Sequence, residues 1–152
     1  MTDPSAHKPF RTHVFSGGDP RMYLKQAPGM SDTLDGVRFS FGIDVPDDAE
    51  VLILYTRASY CVPTRLPRER TGFVAGEPDP IHRYNPAFLN QFGVVLTTSR
   101  EPLDVPTIRE NFCSKWYAGI NYDEEPEHPN LLGHDYFAGL EPPEKTGDRI
   151  SI

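Results

Sequence analysis

The sequence lacks the short motifs that most often mark catalytic and nucleotide-binding sites. It contains no G-x-G-x-x-G, G-x-x-x-x-G-K-[ST], G-x-S-x-G, H-E-x-x-H or C-x-x-C pattern. Such patterns place backbone amides around a phosphate, a serine on a sharp turn, or two metal ligands on one helix face. Catalytic groups can also converge from distant positions, so this absence lowers the expectation of an enzyme without excluding one. No cofactor is expected.

Cysteine and long apolar runs are also scarce. The cysteines are Cys61 and Cys113, which without a secretory leader predict reduced thiols; whether the two meet in space is left open. Residues 1–10 contain no apolar leader segment, and no stretch approaches the roughly 18 apolar residues of a membrane span. We therefore expect a soluble, cytoplasmic protein that does not bind membranes.

Positive charge is in deficit, because 15 lysines and arginines face 22 aspartates and glutamates, for a net charge of −7. An acidic surface repels a phosphate backbone, so no nucleic-acid partner is expected. The basic cluster is Arg65, Arg68 and Arg70, which Glu69 interrupts. It is typical of a solvated loop, and a phosphate or carboxylate site is the alternative.

Large apolar side chains are nevertheless present, and their strongest pattern lies in residues 36–60. Apolar and polar residues alternate over residues 37–45, which predicts a strand with one buried face. A continuous apolar run follows at residues 51–55, as in a strand covered on both faces. The polar segment 46–50 between them has the length of a hairpin loop, so the sequence predicts two antiparallel strands.

Weaker patterns extend this architecture. The further elements expected are strands at residues 10–15 and 92–98 and short helices at residues 21–26 and 87–91. Prolines and charges predict a surface excursion over residues 61–86. A helix is favoured over residues 104–119 by the spacing of Ile108, Phe112 and Trp116, with a strand over residues 112–122 as the alternative.

Together these patterns predict an α+β, β-rich fold. The expected architecture is a single antiparallel sheet or small sandwich with one packed helix and long proline-rich loops. The globular domain is expected at residues 10–122, preceded by an extended arm at residues 1–9. Residues 123–152 are expected to form an acidic, proline-rich tail that packs on the domain or on a partner.

The candidate functional residues fall into two groups. Carboxylates and imidazoles can hold a divalent metal, with a solvated acidic segment as the competing interpretation. The predicted metal ligands are Glu127, His128, His134 and Asp135. The second group can contact a partner protein through the arginine cluster, the proline-rich loop and apolar anchors of the tail. Its members are Arg65, Arg68, Arg70, His82, Tyr84, Leu131, Leu132, Tyr136 and Phe137.

The charge, the long loops and the missing motifs favour a non-catalytic protein-interaction module. The specific hypothesis is an acidic accessory subunit or immunity-type inhibitor that forms a hetero-complex with another protein, for which a basic surface would suit. One alternative is a metal-dependent enzyme that uses the cluster at residues 123–135. A carbohydrate-binding β-sandwich or a virion structural protein is the other alternative.

Overall fold

The structure, a computed structural model, describes residues 8–17, 19–56, 61–110, 120–121 and 130–141. In these ranges the main sheet contains β1 (Phe10–Phe15), β2 (Thr33–Leu34), β3 (Val37–Gly42), β4 (Val51–Tyr55), β5 (Thr71–Val74), β6 (Val94–Leu96) and β7 (Thr107–Ile108). A separate antiparallel pair consists of β8 (Ile120–Asn121) and β9 (Asn130–Leu131). The helices are α1 (Arg21–Leu24), α2 (Pro86–Leu89) and α3 (His134–Ala138). None of them is long and apolar enough to cross a membrane.

The sheet is mostly parallel, with the strand order β2-β3-β1-β4-β5-β6-β7. Strand β1 lies between β3 and β4, so Val14 is opposite Phe41 on one side and Ile53 on the other. The expected single antiparallel sheet is therefore wrong, and so is the hairpin at residues 36–60. The segment 43–50 does not turn back on β3, but carries the chain past β1 to the start of β4. The fold is mixed α/β.

Each face of the sheet carries a helix. Side chains alternate along a strand and paired residues share a face, so Leu54 and Phe73 lie on one face and Tyr55 on the other. Phe88 of α2 packs on Phe73 with ring centroids 5.2 Å apart. Tyr23 of α1 packs on Tyr55 with centroids 6.0 Å apart. Helices on both faces of a parallel sheet form a doubly wound arrangement.

The core lies on the face that α2 covers, and Phe73 of β5 is central to it. The buried core side chains are Phe15, Leu52, Leu54, Phe73, Ala75, Leu89, Val95 and Val105. The ring of Phe73 also meets the rings of Tyr84 and Phe92, at 5.0 and 5.2 Å. Strand β5 lies within residues 61–86, for which the prediction of a surface excursion is therefore wrong at Thr71–Val74. Four strand residues are too few to stand out from charged and proline-rich flanks.

The other predicted elements are confirmed wherever the structure describes them, although most are shorter than expected. The strand expected at residues 10–15 is β1 with the same limits. The strands expected at residues 37–45, from residue 51 and at residues 92–98 correspond to β3, β4 and β6, and the short helices correspond to α1 and α2. The helix expected over residues 104–119 is wrong at Thr107–Ile108, which form β7. Thr107 and Ile108 pair with β6, so pairing with another strand outweighs the helical spacing of the local sequence. Residues 111–119 lie outside the described residues.

A tight turn joins β2 to β3. Asp35 and Gly36 have φ values of 48° and 78°, which is the conformation of a two-residue type I′ turn. Asp-Gly is a preferred pair for this turn because both positions need a positive φ. The hairpin therefore joins β2 to β3, whereas the sequence pattern predicted a hairpin between the strands at residues 37–45 and 51–55.

Gly93 allows β6 to approach the turn Arg68–Arg70. A Cβ atom at this position would collide with the carbonyl oxygen of Arg68 and lie 2.9 Å from Glu69 Cα, and both are backbone atoms. We expect Gly93→Ala to lower the free energy of unfolding by about 1–3 kcal/mol, because the backbone has to shift. Urea denaturation measures the change.

Gly17→Ala is the matched control, since a Cβ atom there meets no atom within 4 Å. Its free energy of unfolding should change by less than about 0.5 kcal/mol. Equal losses at the two glycines would contradict the close approach at Gly93.

Candidate functional site

The order of the strands reverses at β1. From β1 the chain continues to β3 on one side and then crosses to β4 on the other, after which β5, β6 and β7 follow in order. In open parallel sheets, ligands bind outside the carboxyl ends of the strands at such a reversal. The connections diverge there to opposite faces, which leaves a crevice. The carboxyl ends of β1 and β4 are therefore where a site is expected.

Hydroxyl side chains follow the strands at this edge. Ser16 comes directly after β1, Thr56 directly after β4 and Thr97 directly after β6. Backbone hydrogen bonds continue the sheet past the strand ends, since Ser16 N donates to Gly42 O at 3.2 Å and Thr56 N donates to Val74 O at 2.8 Å. The backbone thus fixes the three hydroxyls along one edge.

Tyr23 of α1 ties the loop after β1 to the sheet. Its Oη lies 2.6 Å from Ser16 Oγ, and its ring stacks on Phe41 with centroids 5.0 Å apart. At the start of the helix, Asp19 Oδ1 accepts a hydrogen bond from Arg21 N at 2.9 Å. The loop between β1 and α1 is therefore braced at both ends.

Thr56 has a strained backbone. Its φ is 69°, in the left-handed region, which is a genuine outlier for a β-branched residue. The side chain lies over Gly76, where a Cβ atom would collide with Thr56 Oγ1 and lie 2.9 Å from Thr56 Cβ. Strain of this kind costs about 1–3 kcal/mol and is concentrated at functional sites. The strained residue lies at the carboxyl end of β4, beside the reversal.

A small cavity lies at the same edge, beneath residues 78–86. Its polar lining consists of Asp79, Arg83, Tyr84, Thr97, Ser99 and Glu101. Thr97 and Ser99 are 2% and 9% exposed. The cavity has a volume of about 10 Å³, which is room for about one water molecule. A larger ligand would therefore require one wall to move.

The wall formed by the loop after β6 is rigid. Arg109 Nε donates to Ser99 O at 3.2 Å, and Arg109 Nη2 donates to Glu101 O at 3.1 Å. Within the loop, Thr97 Oγ1 accepts from Ser99 N at 3.0 Å, and Ser99 Oγ accepts from Glu101 N at 3.2 Å. These bonds hold the polar groups in place before any ligand arrives. Residues 78–86 are therefore the wall that would move to open the cavity.

The arginines predicted to bind a partner lie in three different settings. Arg65 lines a surface groove. Arg68 Nε donates to Phe92 O at 3.0 Å. The guanidinium of Arg70 lies over the ring of Phe10, 5.4 Å from its centroid. All three are exposed.

His82 and Tyr84 lie together, with ring centroids 4.6 Å apart. Tyr84 lines the small cavity at the carboxyl edge of the sheet, hereafter the edge cavity, and His82 is exposed beside Tyr84. Both residues were predicted to contact a partner protein, which nothing in the structure tests, and Thr56 and Thr97 were not predicted as site residues. The signal for these two is a hydroxyl residue that directly follows a short apolar strand.

The tail anchors are only partly described. Leu132 and Phe137 are half-buried, and Tyr136 is 50% exposed. The rings of Tyr136 and Phe137 meet edge to face at 5.2 Å. The side chain of Leu131 lies outside the described residues. The helix that carries the two aromatic residues is short, and its N-cap residue Gly133 packs against the backbone of Lys25.

The predicted metal ligands are also divided. Glu127 and His128 lie outside the described residues, whereas His134 and Asp135 are exposed, with Nδ1 and Oδ1 3.0 Å apart. This hydrogen bond and one from Gly29 N lower the pKa of Asp135. In the described part of the chain, no three histidine, cysteine or acidic side chains are placed to hold a metal ion.

His13 is a buried titratable group in the middle of β1. The side chain is 1% exposed, with Nδ1 2.9 Å from Ser40 Oγ and Nε2 3.2 Å from Gly42 O. Burial lowers the pKa of His13, and the bond to Gly42 and the charge of Asp44 partly oppose this effect. The imidazole is therefore neutral at pH 7.

No protein-family model, no curated protein and no solved structure matches the chain. The geometry of the described residues is therefore the basis for inferring a function. That geometry consists of a parallel sheet with a reversal at β1, fixed hydroxyl groups at its carboxyl edge, and a charged cavity beside them.

Replacing Thr56 tests whether its backbone is strained. We expect Thr56→Gly to raise the free energy of unfolding by about 1 kcal/mol, because glycine adopts a positive φ without steric conflict. Thr71→Gly is the control, since Thr71 has a φ of −118° and glycine there should only lower stability. If both variants lose stability in urea denaturation, Thr56 stores no strain.

Stability should depend on the protonation of His13. The folded chain resists protonation of this imidazole, so the unfolded chain binds the proton first as the pH falls below about 6.5. The melting temperature should therefore be lower at about pH 5.5 than at about pH 7.5. His13→Asn keeps a polar atom beside Ser40 and should reduce this difference; an unchanged difference would show that other groups cause it.

Proposed function

We propose that this chain is a ligand-binding domain that holds a polar, hydroxyl-bearing small molecule at the carboxyl edge of its parallel sheet. One observation carries the proposal: the strand order reverses at β1, on the edge where Ser16, Thr56 and Thr97 follow their strands. The reversal supplies a place for a ligand, and the edge supplies groups that can bind it.

The side chains around the edge cavity suggest the chemistry of the ligand. The hydroxyls of Thr97 and Ser99 can form hydrogen bonds, Asp79 and Glu101 can accept them from hydroxyl or amino groups, and Arg83 can donate them. Two carboxylates beside one guanidinium, in a chain with a net charge of −7, disfavour a polyphosphate. Sugars, nucleosides and polyols are the classes that fit.

Admission of such a ligand requires movement of residues 78–86, and their local structure is compatible with movement as a unit. Ile81 N and His82 N both donate to Pro78 O, at 2.8 and 3.0 Å, so residues 78–82 form a hydrogen-bonded turn. Ile81 is 71% exposed. Tyr84 is the residue that connects this segment to the core, through its edge-to-face contact with Phe73.

A protein partner is a second candidate, favoured by the surface of α3. Tyr136 and Leu140 are 50% and 53% exposed on a segment whose backbone is fixed to the domain, since His134 N donates to Lys25 O at 2.7 Å. An immobilised apolar pair loses little entropy on binding. If this candidate holds, a stoichiometric partner should co-purify with the natural chain, and Tyr136→Ser should release it.

Titration followed by NMR tests the ligand site. We expect a sugar, a nucleoside or a polyol to shift the amide signals of Gly76, Ser99 and Glu101 in the full chain. Glu101→Gln should weaken that binding by about tenfold, because it removes a charged acceptor that is worth roughly 1.5 kcal/mol.

Glu69→Gln is the matched control, because Glu69 is an exposed carboxylate in the turn that precedes β5, at the opposite end of that strand. It should leave the affinity unchanged. If none of the three ligand classes binds, or if the shifts lie at the amino ends of the strands, the proposed site is wrong.

A further inference from the structure

A second polar arrangement lies away from the carboxyl edge, in the middle of β1 and β3. His13 and Ser40 are directly opposite each other in the register of the two strands. Nδ1 of His13 lies 2.9 Å from Ser40 Oγ, and Nε2 lies 3.2 Å from Gly42 O. Hydrogen bonds thus connect the hydroxyl of Ser40 to the buried imidazole of His13, and the imidazole to the carbonyl group that orients it.

These bonds determine which ring nitrogen carries the proton. A carbonyl oxygen can only accept, so Nε2 must be the protonated nitrogen that donates to Gly42 O. In a neutral imidazole, Nδ1 is then unprotonated and accepts the hydrogen of Ser40. The lone pair of His13 is therefore directed at the proton of Ser40, which is the arrangement of a base beside a nucleophile.

Ser40 is accessible, although its partner is not. Ser40 is exposed, whereas His13 is 1% exposed. Ser40 lines a groove of about 260 Å³ that also includes Arg11, Arg38 and Phe39. Arg38 lies two residues before Ser40 on the same face of β3, and its side chain is 63% exposed. Its Nε donates to Asp32 Oδ2 at 3.0 Å, and this bond holds the guanidinium beside the groove.

We propose that Ser40 is a nucleophile activated by His13, and that the groove around it accepts small carboxylic esters. Ser40 Oγ attacks the ester carbonyl carbon while its proton passes to His13 Nδ1. The bond from the carbonyl carbon to the alkoxy oxygen then breaks, and the leaving alcohol takes the proton from Nδ1. An acyl ester of Ser40 remains.

Water completes the cycle. It attacks the acyl carbon and gives a proton to His13 Nδ1, after which the bond to Ser40 Oγ breaks and the serine recovers that proton. The net reaction consumes one ester and one water molecule and yields one acid and one alcohol. Gly42 O holds the opposite side of the imidazole throughout, and the guanidinium of Arg38 can donate to the carbonyl oxygen as negative charge develops there.

The environment keeps His13 in the form that the reaction requires. Burial lowers the pKa of His13, so the ring is neutral at pH 7 and can accept a proton. Asp44 can stabilise the imidazolium that forms during the reaction. Arg11 and Arg38 are each paired with a carboxylate, Asp48 and Asp32 respectively, which limits their effect on the ring. This activity does not depend on a ligand at the carboxyl edge.

A fluorophosphonate probe tests the proposal on the full chain. Mass spectrometry of the digested protein should locate one adduct at Ser40. Ser31 is the internal control, because it is exposed and its hydroxyl donates to Thr33 O instead of meeting an imidazole. Absence of an adduct at Ser40, or equal labelling of Ser31 and Ser40, would overturn the proposal.

The role of His13 needs its own measurement. His13→Asn should slow labelling of Ser40 by about 100-fold or more, since asparagine can hold the hydroxyl but cannot take its proton. If this variant does not fold by circular dichroism, the pH profile of the natural chain decides. Labelling should fall in rate as the pH is lowered from 7.5 through the acidic range, because His13 becomes protonated at a pH below its ordinary pKa of 6.5. A profile that stays flat down to the pH at which the chain unfolds, or unchanged labelling in a folded variant, would refute activation by His13.

Discussion

The double pairing of β1 is the constraint on which the rest of the structure depends. Its residues form hydrogen bonds with β3 along one edge and with β4 along the other, and the four residues from Thr12 to Phe15 are buried. A polar side chain on this buried, doubly paired stretch has no access to water. His13 therefore has to find its partners inside the protein. The reversal of strand order, and with it the candidate site, follows from the same insertion.

The two proposed sites use different parts of that strand. The ligand site begins where β1 ends, at Ser16, and extends across the carboxyl ends of the neighbouring strands. The serine nucleophile depends on His13 in the middle of the strand, and on a groove at the side of β3. The two sites share no side chain.

Local structure could be predicted from the sequence because its signals are local. Alternation at residues 37–45 and the apolar run at 51–55 identified two strands. Strand pairing could not be predicted, since the same patterns suit parallel and antiparallel sheets and the partner of each strand is distant in sequence. Thr56 shows the limit most clearly. The residues next to it in the sequence do not predict its positive φ, and neither do they predict that its side chain lies against Gly76.

The central position of β1 also affects how the chain reaches its fold. Val14 pairs with Phe41 and Ile53, so a long segment has to close before either edge of the strand is satisfied. Loop closure of this kind costs entropy before any contact compensates for it, and parallel pairings fold slowly for that reason. Before β4 pairs with it, β1 has one unpaired edge. A second copy of the chain could pair with that edge, so the partly folded protein, more than the native one, should be the form that aggregates.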